Sequence, residues 1–138
     1  MSMQVAQPDG KIVTVASTDT EITVARQHPD GSPDTYFGVD GTITTVIGDG
    51  ARAAGIAWQP DGRLVAAAST DTEFAIIRYN IDGSRDRGFG SEGVARKSVG
   101  KGCVATDIEI EPDGSLLVTG MNTVSEVVAR FSDSGQPR

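Results

Sequence analysis

Gln7-Pro8-Asp9-Gly10, Gln59-Pro60-Asp61-Gly62 and Glu111-Pro112-Asp113-Gly114 are one turn written three times at a constant spacing of 52 residues in a chain of 138. Proline presets φ for the turn, Asp tolerates the bridge or left-handed region, and Gly takes the positive φ that other residues resist. A self-similar unit of about 50 residues made of short alternating runs and turn residues is the mark of a repeat architecture, most simply propeller blades.

Sliding the chain by 52 places extends the match outward from these turns without a gap. Ser17-Thr18-Asp19-Thr20-Glu21 falls on Ser69-Thr70-Asp71-Thr72-Glu73, Arg26 on Arg78, and Asp30-Gly31-Ser32 on Asp82-Gly83-Ser84. Asp34 falls on Asp86, Phe37-Gly38 on Phe89-Gly90, and Gly41 on Gly93. A second shift reaches Leu116, Arg130, Phe131 and Gly135 with fewer identities, so the third copy is the divergent one. The chain reads as a single repeat domain over 1–138, with units of approximately 1–52, 53–103 and 104–138.

In the second copy, β-branched and apolar runs bounded by turn residues predict strands over 54–59, 63–68, 74–80 and 94–99. The first copy supplies the same four, with a short first strand near 3–7 and a last near 42–47. The third supplies strands near 104–111, 115–120 and 126–131, with no equivalent of the fourth. The expected fold is all-β, of propeller-type four-stranded blades, two complete and one partial per chain. Fewer than three blades cannot close a ring, and closed propellers have about four to eight. Two chains give six blades and three give about nine, so the reading favours a ring closed by a homodimer. A piece of a larger protein is the other way to satisfy the same count.

Composition narrows function more by exclusion than by indication. The formal charge of −7 repels phosphate backbones and anionic membranes, which argues against nucleic acid as a partner. No stretch approaches the length of a membrane span, and no basic segment followed by an apolar one marks a secretory signal. Aromatic residues are few (Trp58, four Phe and two Tyr), so Val, Ile, Leu and Ala must build the core. The lone Cys103 stands where the preceding copy has Ala51, which reads as a small buried thiol.

The pattern Ala-x-x-Arg-Tyr-Asn-x-Asp-Gly-Ser-x-Asp-x-x-Phe-Gly-x-x-Gly over 75–93, preceded by Pro-Asp-Gly and an apolar strand, resembles the delta-60 repeats of bacterial proteins. The resemblance covers nearly the whole chain. It is good in the first copy, where Gln27 and His28 replace Tyr-Asn, and fades in the third after Arg130. It implies a β-propeller-like fold and brings no catalytic residues to transfer. It leans toward the bacterial exterior, whereas a single free Cys leans toward the cytoplasm.

Four constellations are candidate sites. Asn80, Asp82, Ser84 and Asp86 place oxygen donors at alternating positions around a Gly turn, as calcium loops do, yet the twelfth position holds Ser91 instead of an acid. The alternative is that they cap their own turn. Arg26, Arg78 and Arg130 recur at the same point of each copy. Repetition favours a fork onto Asp34 or Asp86 that fastens the long turn to the sheet, over a basic ring facing a ligand. Trp58, unique to the second copy, either packs between blades or lines a central channel. The Asp19/Glu21 and Asp71/Glu73 pairs read as solvated hairpins. His28 and Cys103, the only residues of their types, make neither a dyad nor a zinc site.

The expected function is a non-catalytic binding or scaffolding module that self-assembles, with no cofactor and a protein or glycan as its ligand. The alternative is a hydrolase or lyase using carboxylates such as Asp49, Asp107, Glu109 and Glu111 at a channel mouth, and their convergence or dispersal separates the two readings.

Overall fold

A computed structural model describes residues 2–136. It contains eleven strands in three antiparallel sheets. The first is β1 (Ser2–Ala6), β2 (Ile12–Ser17), β3 (Glu21–Gln27) and β4 (Thr42–Val46). The second is β5 (Arg52–Trp58), β6 (Leu64–Ser69), β7 (Glu73–Tyr79) and β8 (Val94–Ser98). The third holds β9 (Val104–Ile110), β10 (Leu116–Met121) and β11 (Glu126–Phe131). Each sheet is a meander in chain order, and the three do not close into a ring. All the strands expected from sequence are present, most of them displaced by a residue or two at an end. The third sheet has no fourth strand among the described residues.

Within each sheet the first strand lies on the inside, and β1, β5 and β9 pack in succession. Gly55 on β5 permits this approach: a Cβ there would meet the Ile108 side chain at 3.4 Å. Two apolar layers fill the gaps between sheets. Val13, Val15, Ile22 and Val24 of the first sheet pack on Leu64, Ala66, Ile77 and Tyr79 of the second. Val65, Ala67, Phe74 and Ile76 then face Leu116, Val118, Ala129 and Phe131 of the third. Sequence explains the difference between blades. In β2 a buried residue follows a half-buried one, because one face is open, whereas all six residues of β6 are buried because both faces are covered.

The Pro-Asp-Gly turns behave alike in all three copies. The Asp9, Asp61 and Asp113 carboxylates each accept the amide two residues on, at 3.0, 3.0 and 2.8 Å. At the opposite end of the blades, the Ser17 and Ser69 hydroxyls accept the Ala53 and Ala105 amides of the following sheet. Buried Tyr79 bridges the first two sheets through a 3.2 Å hydrogen bond with Thr45 Oγ1, and burial pushes its phenol up to about 12. Cys103 is buried, and its thiol donates to the Val99 carbonyl.

The turns at 28–32, 80–84 and 132–136 separate local strain from packing between blades. Gly31 and Gly83 have φ of +90° and +87°, so alanine at either costs about 1–2 kcal/mol in backbone strain. A Cβ at Gly83 would also lie 2.7 Å from the Gly38 nitrogen of the first sheet, whereas one at Gly31 meets nothing within 4 Å. Gly83→Ala is therefore expected to lower the urea midpoint clearly more than Gly31→Ala, and equal shifts would show that the turn does not bear on its neighbour.

Candidate functional site

The long turn after the third strand carries the recurring polar residues, and their side chains converge on the boundary between sheets. Arg26 leaves β3 opposite Val13, on the face toward the second sheet. Its Nε donates to Asp34 Oδ2 at 2.8 Å, its Nη1 donates to the Ile81 carbonyl of the second sheet at 2.8 Å, and its guanidinium lies 4.6 Å over the Phe37 ring. The Gly38 amide beside that ring donates to the Asp82 carbonyl at 2.8 Å. One sheet thus grips the Asx-Gly turn of the next.

The same grip is repeated one period later. Arg78 Nε donates to Asp86 Oδ2 at 2.9 Å, Nη1 to the Asp133 carbonyl at 2.7 Å, and the guanidinium covers Phe89 at 4.4 Å. The Gly90 amide donates to the Ser134 carbonyl. A second cation supports each carboxylate: Lys11 Nζ lies 3.1 Å from Asp34, and Arg63 Nε lies 3.6 Å from Asp86. Sequence pattern pointed to the arginine–aspartate fork. It did not reveal the backbone acceptors, since any residue supplies a carbonyl; the signal that could have found them is Gly31, Gly83 and Gly135 at one register.

Arg130 stands at the same register with different company. Its Nε lies 3.0 Å from Glu111 Oε1, and no partner of its Nη1 occurs among the described residues. Glu111 occupies the position of Gln7 and Gln59, while the position of Asp34 and Asp86 is taken by Arg138, outside the described residues. A carboxylate lost at one position of the repeat is thus present at another.

The other candidate residues are placed as follows. Asp82 Oδ1 accepts the Ser84 amide at 3.0 Å and its hydroxyl at 2.6 Å, and Asn80 Nδ2 donates to that hydroxyl. The Ser84 hydrogen bonds hold the Asp82 carboxyl below its ordinary value, as those of Ser32 do for Asp30. Asp86 is committed to the two arginines. Among the described residues no group of three or more His, Cys, Asp and Glu could hold a metal ion. Trp58 is half-buried against the core between the first and second sheets. Asp107 and Glu109 lie on the exposed face of β9, Asp107 accepting the Ile108 amide at 2.8 Å, while Asp49 is exposed in the connection between sheets. A shallow cleft of about 490 Å³ beside the second grip is lined by Gln59, Arg63, Arg78, Glu111 and Asp133.

Three meandering sheets packed face to face, with the first strand of each innermost and a repeated lock between them, define a β-propeller-type domain. Residues 7–37 and 59–89 match a family described as a domain of unknown function (DUF5122) beta-propeller. Each matched segment runs from the Gln-Pro-Asp-Gly turn to the phenylalanine beneath the clasp arginine. No curated protein matches the chain.

Burial alone would raise the Asp34 carboxyl, but the Lys11 ammonium, the Tyr36 amide and the Arg26 guanidinium outweigh it and hold it below 3.8. A depressed folded value means that the unfolded chain binds the proton more tightly. The stabilisation is therefore whole above about pH 4 and lost as pH falls through the lowered folded value. Asp34→Ala, which strands a buried guanidinium, is expected to cost about 3–5 kcal/mol at neutral pH and to flatten the acid limb of stability against pH. Arg130→Ala, at a half-exposed pair, is expected to cost the single chain under about 1 kcal/mol. Urea unfolding across pH measures all three, and an unchanged acid limb in Asp34→Ala would remove Asp34 as its source. Calcium titration is expected to give no heat and no shift in Tm, because the Asp82 and Asp86 oxygens already have protein partners.

Proposed function

We propose that the chain is a non-catalytic binding or scaffolding module that self-assembles, two copies completing a six-bladed ring whose loop surface receives a protein or glycan ligand. Assignment to the delta-60 repeats belongs to the same proposal, on the motif over 75–93. One observation carries it: the recurring charged residues are spent on joining blade to blade, while among the described residues a sheet face at each end of the arc has no partner. Such faces suit assembly, since a blade ordinarily packs both faces against neighbours. The placement of the acidic side chains supports binding over hydrolysis, for Glu111 is ion-paired, Asp49 lies in a connection, and Asp107 and Glu109 lie on an open sheet face.

No helix among the described residues is long and apolar enough to cross a membrane. Light scattering after size exclusion tests the assembly. The expected mass is twice the 14.4 kDa of one chain; a monodisperse single-chain mass at every concentration, with cooperative unfolding, would overturn it.

A further inference from the structure

We infer that copies of this chain join head to tail, the open face of the third sheet of one against the open face of the first sheet of the next, with Arg130 as the clasp across the joint. This rests on the self-association proposed above and specifies which surfaces meet.

The two internal joints define what a third must contain. In each, an arginine Nη1 donates to a carbonyl 55 residues further on: Arg26 to Ile81, Arg78 to Asp133. One more period carries the register to Arg130 and, on a second copy, to the Pro29 carbonyl. Both halves of that joint are ready. Glu111 engages Arg130 through Nε and Nη2, leaving Nη1 without a partner among the described residues. The receiving turn has the geometry of its gripped counterparts: Asp30 Oδ1 accepts the Ser32 amide and hydroxyl as Asp82 does for Ser84, and Gly31 has φ +90° beside +87° at Gly83. Its Pro29 and Asp30 carbonyls have no hydrogen-bond donor among the described residues. Where the neighbouring blade meets Gly83 and Gly135, Gly31 has open space.

The faces also fit as unlike pairs. On the third sheet, Asp107 and Glu109 share the outward face with Leu117, Thr119 and Val128, positions that are Gly55, Ala57, Val65, Ala67 and Ile76 inside the joint between the second and third sheets. Glu126 replaces Phe74 there, so the face bears three carboxylates. On the first sheet, the open face presents Thr14, Ala16, Thr23, Ala25 and Thr44, with Glu21 at the end of β3 and the Thr23 and Thr44 hydroxyls in contact. Two third-sheet faces set three carboxylates against three; a third-sheet face against the threonine face sets them against Glu21 alone, and its hydroxyls can donate to carboxylates. Fewer apolar groups than at the internal joints suit a contact between separately folded chains.

The test is sedimentation velocity of the full chain over a wide concentration range, with circular dichroism and melting curves to show that each variant folds. Arg130→Ala is expected to weaken association about tenfold or more, the loss of a charged hydrogen bond. Thr23→Glu is expected to weaken it further by setting acid against acid, Thr23→Arg to tighten it, and Glu126→Arg to restore it in the Thr23→Glu background. Wild-type association that neither Arg130→Ala nor Thr23→Glu changes overturns the head-to-tail joint and leaves self-association standing through another surface. A wild-type chain that stays single at every concentration overturns both.

Discussion

The arginine–aspartate pair laid across a phenylalanine ring is the constraint on which this architecture rests. Its three elements come from different points of one unit, the end of the third strand, the start of the long turn and its close. The carbonyl that accepts its Nη1 comes from the next. The pair therefore stiffens a loop and fixes the separation and rotation of adjacent sheets together. Apolar layers supply most of the attraction between blades, but they are built of Val, Ile, Leu and Ala, whose contact is non-directional. Direction comes from the guanidinium, which must satisfy a buried carboxylate, an aromatic face and a carbonyl at once.

That division of labour explains why the acidic chain is not organised around an acidic site. Carboxylates in the turns accept backbone amides one or two residues away, and those in the clasps accept cations. Of those left over, Asp107, Glu109 and Glu126 share the outer face of the last sheet, where an inner blade has Gly55, Ala57 and Phe74.

Much of this was legible in the sequence because the repeat is gapless. One period of 52 residues carried the strand boundaries to within a residue or two, the three-stranded third sheet, and the pairing of Arg26 with Asp34 and Arg78 with Asp86. The uninterrupted apolar run of β6 is the composition that a blade with two covered faces requires. Contacts made by backbone were not legible: the carbonyls of Ile81 and Asp133 carry no residue signature. Nor was the role of Glu111, because the change from Gln7 and Gln59 looks like ordinary drift until Arg130 is seen beside it. Trp58 illustrates a different limit, since a lone aromatic on an alternating strand gives its periodicity but not which of two layers it joins. Here it joins the layer between the first and second sheets.

Because each clasp straddles a boundary, neither residues 1–52 nor residues 53–103 hold a finished lock within themselves. Deleting or inserting a few residues in one unit would misplace a guanidinium on one side and a carbonyl on the other, stranding a desolvated charge. A change by one full period keeps both in register. Length in such a chain is thus quantised: duplication or loss of a whole 52-residue unit is nearly neutral for the joints, whereas drift by smaller steps is not. The unit of inheritance is the period, and where it begins matters less than that it is never divided.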